Sequence, residues 1–180
     1  MKIIPTSIRD AFIIESEPIS DDRGFFASLS NSNEFKKQNL ETEYDRMAVS
    51  QNNKKGTLRG LHYQLPPKQE VKLIRCIKGK IYDVIVDIRK SSPSYKKYFA
   101  VELTPENLKS LYAPKGVAHA FLTLSDNTQV LYQISSDYQP DLYRGVRFND
   151  PAFGIFWPIA PTIIHPRDAS YPDFTDKDAV

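Results

Sequence analysis

Val71-Lys72-Leu73-Ile74-Arg75-Cys76-Ile77 and Lys80-Ile81-Tyr82-Asp83-Val84-Ile85-Val86-Asp87-Ile88 flank Lys78-Gly79, and their reading sets the fold class. Both runs read as strands and Lys78-Gly79 as a hairpin-like break. Alternation along the second run puts Ile81, Asp83, Ile85 and Asp87 on one face, with Tyr82, Val84, Val86 and Ile88 on the other. The same signal repeats outward. A turn at Ser91 to Ser94, carrying Pro93, precedes a strand from Tyr98 to Leu103. Leu108 to Tyr112, Ala118 to Leu124 and Thr128 to Ser135 read as further short strands, separated by Pro114-Lys115-Gly116 and Ser125-Asp126-Asn127. Only Ser32 to Gln38 and Pro105 to Leu108 have helical character, each opened by an Asn, Ser or Thr cap. Short strands with Gly and Pro punctuation predict an antiparallel sandwich or barrel. The tail beyond Pro158 has no regular pattern, yet Trp157, Tyr171 and Phe174 give it apolar surface with which to dock.

At 180 residues the chain is expected to form one domain, 1–180, with a sizeable core. Apolar residues at 41% and charged residues at 26% are the proportions of a soluble globular protein. A net charge of +2 demands neither nucleic acid nor an anionic membrane as partner. Cys76 is the only cysteine, which excludes an intrachain disulfide and fits a reducing compartment. The apolar run at Met1 to Pro5 ends too soon for a signal peptide, and no window approaches a membrane span. A cytoplasmic protein is expected.

The chemistry-bearing stretch is Gly56-Thr57-Leu58-Arg59-Gly60-Leu61-His62-Tyr63-Gln64. Strict alternation sends Arg59 and Leu61 to one face and Gly60, His62 and Gln64 to the other. A buried imidazole, guanidinium or amide needs a partner or a ligand. For metal, His62 and His119 sit on segments that resemble the two halves of a cupin, but three or four converging ligands are required. Gln64 follows His62 where a second histidine is needed, and His165 lies in a proline-rich tail, so no metal is expected. For phosphate, Arg23, Arg59 and Arg75 offer planar forks suited to diphosphate, and Lys72 and Lys115 add point charges. No Walker A loop or G-x-G-x-x-G is present. Arg144 and Arg147 read as surface ion-pair residues. For proton transfer, His62 is the natural base, with Asp83 and Asp168 as candidates to orient it. Tyr132, in Val130-Leu131-Tyr132-Gln133-Ile134, is either a core phenol or a proton donor across a substrate from His62. Tyr138 either stacks on a nucleobase or caps the core.

Several segments in the same order resemble the sugar-nucleotide 3,5-epimerase family, typified by dTDP-4-dehydrorhamnose 3,5-epimerase. They are Asp22-Arg23-Gly24-Phe25-Phe26, Arg59 to Pro67, Lys72-Leu73-Ile74-Arg75, Tyr82 to Arg89, Pro114 to Phe121 and Leu131-Tyr132-Gln133. Asn149-Asp150-Pro151, Gly154-Ile155-Phe156-Trp157-Pro158 and Arg167-Asp168 complete the set. The resemblance implies a mainly β, cupin-type antiparallel barrel (a jelly roll) with short flanking helices, working as a homodimer without metal or cofactor. It also implies epimerisation beside the ketone of a nucleotide-linked 4-keto-6-deoxyhexose. In that scheme His62 is the base, Asp168 its carboxylate partner, Lys72 the cation near O4, and Tyr132 the acid. Arg59, and Arg23 from a partner subunit, hold the diphosphate. His119 meets the diphosphate or sugar hydroxyls and Tyr138 stacks on the base. Gln64 and Arg167 are the remaining substrate-binding candidates.

The chain departs from the best-known members in its recognition positions. Met47-Ala48-Val49 stands for a Gln-Asp-Asn run, Ser28 and Tyr143 for glutamates, and Glu70 for a glutamine. Matched polar partners determine specificity, so these changes bear on which nucleotide sugar binds. A single-centre epimerase or ketoisomerase acting on a CDP- or other NDP-sugar is one competing reading. A non-catalytic sugar-nucleotide binding module is another. The joint presence of His62, Lys72, Tyr132 and Asp168 weighs against the second, because binding alone needs no acid and base.

Overall fold

Nearly every apolar run becomes a strand, and the strands form two sheets packed face to face. The computed structural model describes residues 1–180. In chain order the strands begin β1 (Lys2–Pro5), β2 (Phe12–Glu15), β3 (Ile19–Asp21), β4 (Gly24–Phe26), β5 (Arg46–Asn52), β6 (Thr57–Gln64) and β7 (Lys72–Lys78). They continue β8 (Ile81–Asp87), β9 (Tyr98–Leu103), β10 (Lys109–Ala113), β11 (Val117–Thr123), β12 (Thr128–Ile134), β13 (Tyr143–Gly145) and β14 (Ile163–Ile164). Two short helices, α1 (Ser32–Lys37) and α2 (Pro166–Ala169), flank them. The first sheet runs β1-β2-β10-β7-β12-β5 and the second β13-β6-β11-β8-β9. All these pairings are antiparallel, and β14 adds a short parallel pairing to β6. This is the mainly β, cupin-type roll that the sequence predicts.

The core has layers that follow the side-chain alternation. Ile81 and Ile85 of β8 meet Ile74, Leu111 and Val130 of the first sheet in the space between the sheets. Val84, Val86 and Ile88, on the other face of β8, pack with Leu61, Ala118 and Ala120 under Phe153, Trp157 and Phe174. Covering both faces explains why β8 reads as an almost unbroken apolar run. The tail supplies that outer layer. Its last residue is tied to the end of β8, with the Val180 amide donating to Ile88 O at 3.0 Å. On the first sheet, Phe35 of α1 packs against Ile14, Leu73 and Tyr112.

Three sequence expectations are corrected. Lys78-Gly79 is no hairpin, because β7 and β8 belong to different sheets and the break is a crossover between them. Pro105 to Leu108 is a turn instead of a helix. Thr104 and Asn107 cap one another's amides there, a local bond that competes with helix formation. The third concerns β6. His62 opposes His119 while Arg59 opposes Phe121, so two residues, Gly60 and Leu61, face Ala120 alone. This bulge breaks strict alternation. Arg59 and His62 therefore reach the same concave surface, while Leu61 and Tyr63 join the outer apolar layer.

Only glycine fits the bulge. Gly60 has φ +114°, and a Cβ there would lie 2.5 Å from His119 O and 2.6 Å from Ala120 Cβ. Backbone on one side and a core methyl on the other cannot both give way. Gly60→Ala is expected to destabilise the fold by about 2–4 kcal/mol. Urea unfolding checks this, and a midpoint equal to wild type would show that the bulge tolerates a side chain.

Candidate active site

The bulge leaves the Gly60 amide free of the ladder, and it donates to Asp168 Oδ2 at 3.2 Å. Two residues on, His62 Nε2 lies 2.8 Å from Asp168 Oδ1. Asp168 arrives on α2, whose first turn begins with Pro166 and is capped by His165, Nδ1 accepting the Arg167 amide at 3.2 Å. Pairing of β14 with the start of β6 carries this short helix to the bulge. Burial lowers the pKa of His62, against the opposing pull of Asp168. Burial also pushes the Asp168 carboxyl up, but hydrogen bonds from His62, the Gly60 amide and Arg167 outweigh it and hold the group below the usual carboxylate range. The pair rests as imidazole and carboxylate near neutral pH. Nε2–H donates to Asp168, and Nδ1 keeps its lone pair.

The facing sheet brings a phenol and an ammonium. Tyr132 of β12 sits between Ala48 of β5 and Ile74 of β7 in register. Burial raises its pKa well above the ordinary phenol value, so it holds its proton. Lys72 Nζ donates to the His62 carbonyl at 3.2 Å and lies 2.8 Å from Glu70 Oε1. Beside Tyr132 stands a second imidazole–carboxylate pair, His119 Nε2 being 2.7 Å from Asp83 Oδ1. The rings of His119 and Tyr132 meet edge to face at 5.9 Å. Burial pushes the Asp83 carboxyl up, and its Oδ2 has no partner. Asp83 thus serves His119 and not His62, which settles the choice between the two aspartates.

A cavity of about 560 Å³ opens between the sheets and collects these groups. His62, Lys72, Tyr132 and Asp168 all line it, as do Arg59, His119, Tyr138 and Arg167. An imidazole, a protonated phenol and a fixed cation around one space are the parts needed to move a proton on and off a carbon acid.

Gln64, Arg23 and Arg75 lie outside the cavity. The Gln64 amide is buried in structure, donating to Lys68 O at 2.8 Å and Asp137 O at 3.1 Å and accepting from the Gln139 amide at 2.7 Å. These three bonds use both its N–H donors and tie loops to β6. Arg23 sits on the exposed β3–β4 hairpin, paired with Asp21 at 2.5 Å, away from the cavity of its own chain. Arg75 is likewise spent on Ser110, Ser16 and Leu108 O. No three His, Cys, Asp or Glu side chains converge as a metal-binding group.

The sequence pattern of the dTDP-4-dehydrorhamnose 3,5-epimerase family matches residues 5–176. The chain belongs to that family. It is 38% identical to the dTDP-4-dehydrorhamnose 3,5-epimerase of Shigella flexneri, over 99% of this chain and 98% of that protein. The crystal structure of the Bacillus anthracis dTDP-4-dehydrorhamnose 3,5-epimerase, with TDP and PPi bound, superposes with a TM-score of 0.92 at 38% identity. It covers 96% of this chain and 99% of that one. A Legionella pneumophila 3,5-epimerase in complex with dTDP-4-keto-L-rhamnose gives 0.87 at 33% identity, over 94% of this chain and 90% of that one.

Several cavity residues of this 3,5-epimerase family member carried no sequence signal. Arg46 and His165 both line the space. Arg46 is one charge in an exposed-looking strand, and His165 belongs to a segment without periodicity. Tyr143, noted only as a departure, packs 5.1 Å from Tyr138 and 5.1 Å from His62, with Arg167 over its ring at 5.5 Å. Its position depends on β13 joining β6, a pairing that three residues cannot advertise.

The lowered pKa of His62 has a measurable consequence. The NMR titration midpoint of its ring is expected below 6.5, and Asp168→Asn should lower it further by removing the carboxylate. A midpoint above 6.5, or an upward move in the variant, would show that burial does not dominate at this site.

Proposed function

We infer that the chain epimerises C3 and C5 of a nucleotide-linked 4-keto-6-deoxyhexose, converting dTDP-4-dehydro-6-deoxyglucose to dTDP-4-dehydrorhamnose. The observation that carries this reading is the arrangement of His62 and Tyr132 on facing sheets around one cavity, with Lys72 beside them. Family membership and the nucleotide and keto-sugar ligands of the two related structures support the substrate class.

The chemistry follows from the ketone. The C4 carbonyl acidifies hydrogens on C3 and C5, and His62 Nδ1 removes one of them. Asp168 stabilises the imidazolium that results. The electron pair moves onto O4, where the Lys72 ammonium meets the developing charge. Tyr132 donates its proton to the opposite face of the carbon, which inverts the centre. Solvent takes the proton from His62 and returns one to Tyr132, so nothing is oxidised or reduced overall. Arg59 and the partner subunit's Arg23 hold the diphosphate, Arg167 is a further substrate contact, His119 contacts the diphosphate or sugar hydroxyls, and Tyr138 stacks on the base. Arg59 is already oriented for this, its Nε donating to Asn52 Oδ1 at 2.8 Å.

The reading includes one domain over 1–180, a cytoplasmic location and a homodimer in which Arg23 serves the partner's cavity. The β3–β4 hairpin supports the dimer. It pairs only with itself and exposes Ile19, Phe25 and Phe26, at 77%, 62% and 73%. Met47 and Val49 on the edge strand β5 are also exposed, at 65% and 56%. Apolar side chains so displayed are the mark of an interaction surface. No helix is long and apolar enough to cross a membrane.

Incubation of the substrate in deuterated water, followed by NMR, is expected to place deuterium at both C3 and C5. Label at one carbon only would make the enzyme a single-centre epimerase. His62→Ala should abolish exchange at both carbons, a loss of at least about a thousandfold, with TDP affinity kept. Tyr132→Phe should retain exchange but impair inversion, and an unchanged yield of inverted product would remove Tyr132 from its role.

A further inference from the structure

Glu70 is a buried carboxylate set between two cations. Its side chain is 3% exposed, with Lys72 Nζ 2.8 Å from Oε1 and Arg46 Nη2 3.3 Å from Oε2. Neither cation is loosely held. Arg46 stands opposite Ile134 at the end of the β5–β12 ladder, and its Nε donates to Ser136 O at 3.1 Å. The Tyr138 ring lies 5.9 Å from its guanidinium carbon. Lys72 Nζ donates to the His62 carbonyl at 3.2 Å, and its 2.8 Å approach to Glu70 Oε1 is an ion pair and not a hydrogen bond, since that oxygen has no hydrogen-bond partner. Lys72, Glu70 and Arg46 all line the cavity.

The charge count then matters. Glu70 and Lys72 alone would form a neutral pair, and an enolate forming nearby would meet an ammonium whose field is cancelled by a carboxylate 2.8 Å away. Arg46 adds a second positive charge on the far oxygen, so the three groups together carry one net positive charge toward the cavity. We propose that Arg46 is a positioning residue that acts through Glu70, taking up the carboxylate's charge and so leaving the Lys72 ammonium free to stabilise the enolate. This rests on the role assigned to Lys72 above. Glu70 aims the ammonium, and Arg46 offsets the charge that the aiming introduces. A carboxylate buried at this depth needs a second cation, which Arg46 supplies.

The test compares Arg46→Met, Arg46→Lys, the double variant Arg46→Met/Glu70→Gln, and Lys72→Met. Each is assayed for kcat, KM and deuterium exchange, with thermal melts alongside. Arg46→Met is expected to lower kcat about tenfold with KM changed less than about threefold. Arg46→Lys should keep most of the rate, since charge and not shape is what Glu70 requires. Adding Glu70→Gln to Arg46→Met should restore kcat to within about threefold of wild type, a coupling that independent roles would not give. A double variant no faster than Arg46→Met would overturn the proposal, because an arginine that binds substrate directly is not rescued by neutralising Glu70. Arg46→Met at wild-type kcat would overturn it too. Should Arg46→Met fold too poorly to assay, the double variant, which buries no unpaired carboxylate, decides the matter: kcat near wild type supports the proposal and a large loss sinks it. Lys72→Met separates the two levels. A slowed Lys72→Met beside an unaffected Arg46→Met removes this proposal alone, whereas Lys72→Met at wild-type exchange removes the role of Lys72 and this proposal with it.

Discussion

The Asp168 carboxylate, bonded at once to the Gly60 amide and the His62 ring, is the contact on which the site depends. It joins a defect in a strand to a one-turn helix more than a hundred residues later in the chain. Without the bulge, the Gly60 amide would belong to the ladder and Arg59 and His62 would face opposite ways. Without α2, His62 would be a buried imidazole with no acceptor for its N–H, at the cost of an unmade hydrogen bond. One backbone irregularity therefore sets the direction of two cavity side chains and supplies a donor to the group that orients one of them.

The two imidazole–carboxylate pairs of the cavity are alike in geometry and unlike in electrostatics. Asp168 receives hydrogen bonds from three groups and sits below the usual carboxylate range. Asp83 is wholly enclosed, keeps one oxygen unpartnered, and is pushed upward. Environment and not residue type separates them. The first pair is suited to hold and release a proton at a substrate carbon. The second holds an imidazole beside Tyr132, whose own proton burial retains.

The side chains around the cavity divide by direction. On β5, Ala48 turns into the cavity while Met47 and Val49 face outward as exposed apolar side chains. Tyr143 packs between Tyr138 and His62. Glu70 turns inward to Arg46 and Lys72. His62, Lys72, Tyr132 and Asp168 share the cavity with Ala48, Tyr143 and Glu70. In such a site reaction type and substrate fit can vary separately.

The sequence by itself determined the β class, the strands β6 to β12 and the residue types for acid–base work, because burial of alternate side chains writes a period of two into the chain. It also determined, through short motifs in order, the family and the candidate set His62, Lys72, Tyr132 and Asp168. Pairings between distant segments left no such trace. That β7 and β8 part into different sheets, that Gly60 breaks the alternation, that Gln64 braces loops, and that Arg46 completes a charge triad with Glu70 and Lys72 were all decided by tertiary structure. The physical reason is range. Periodicity and turn chemistry act over a few residues, whereas a hydrogen bond from Gly60 to Asp168 depends on how the whole roll closes.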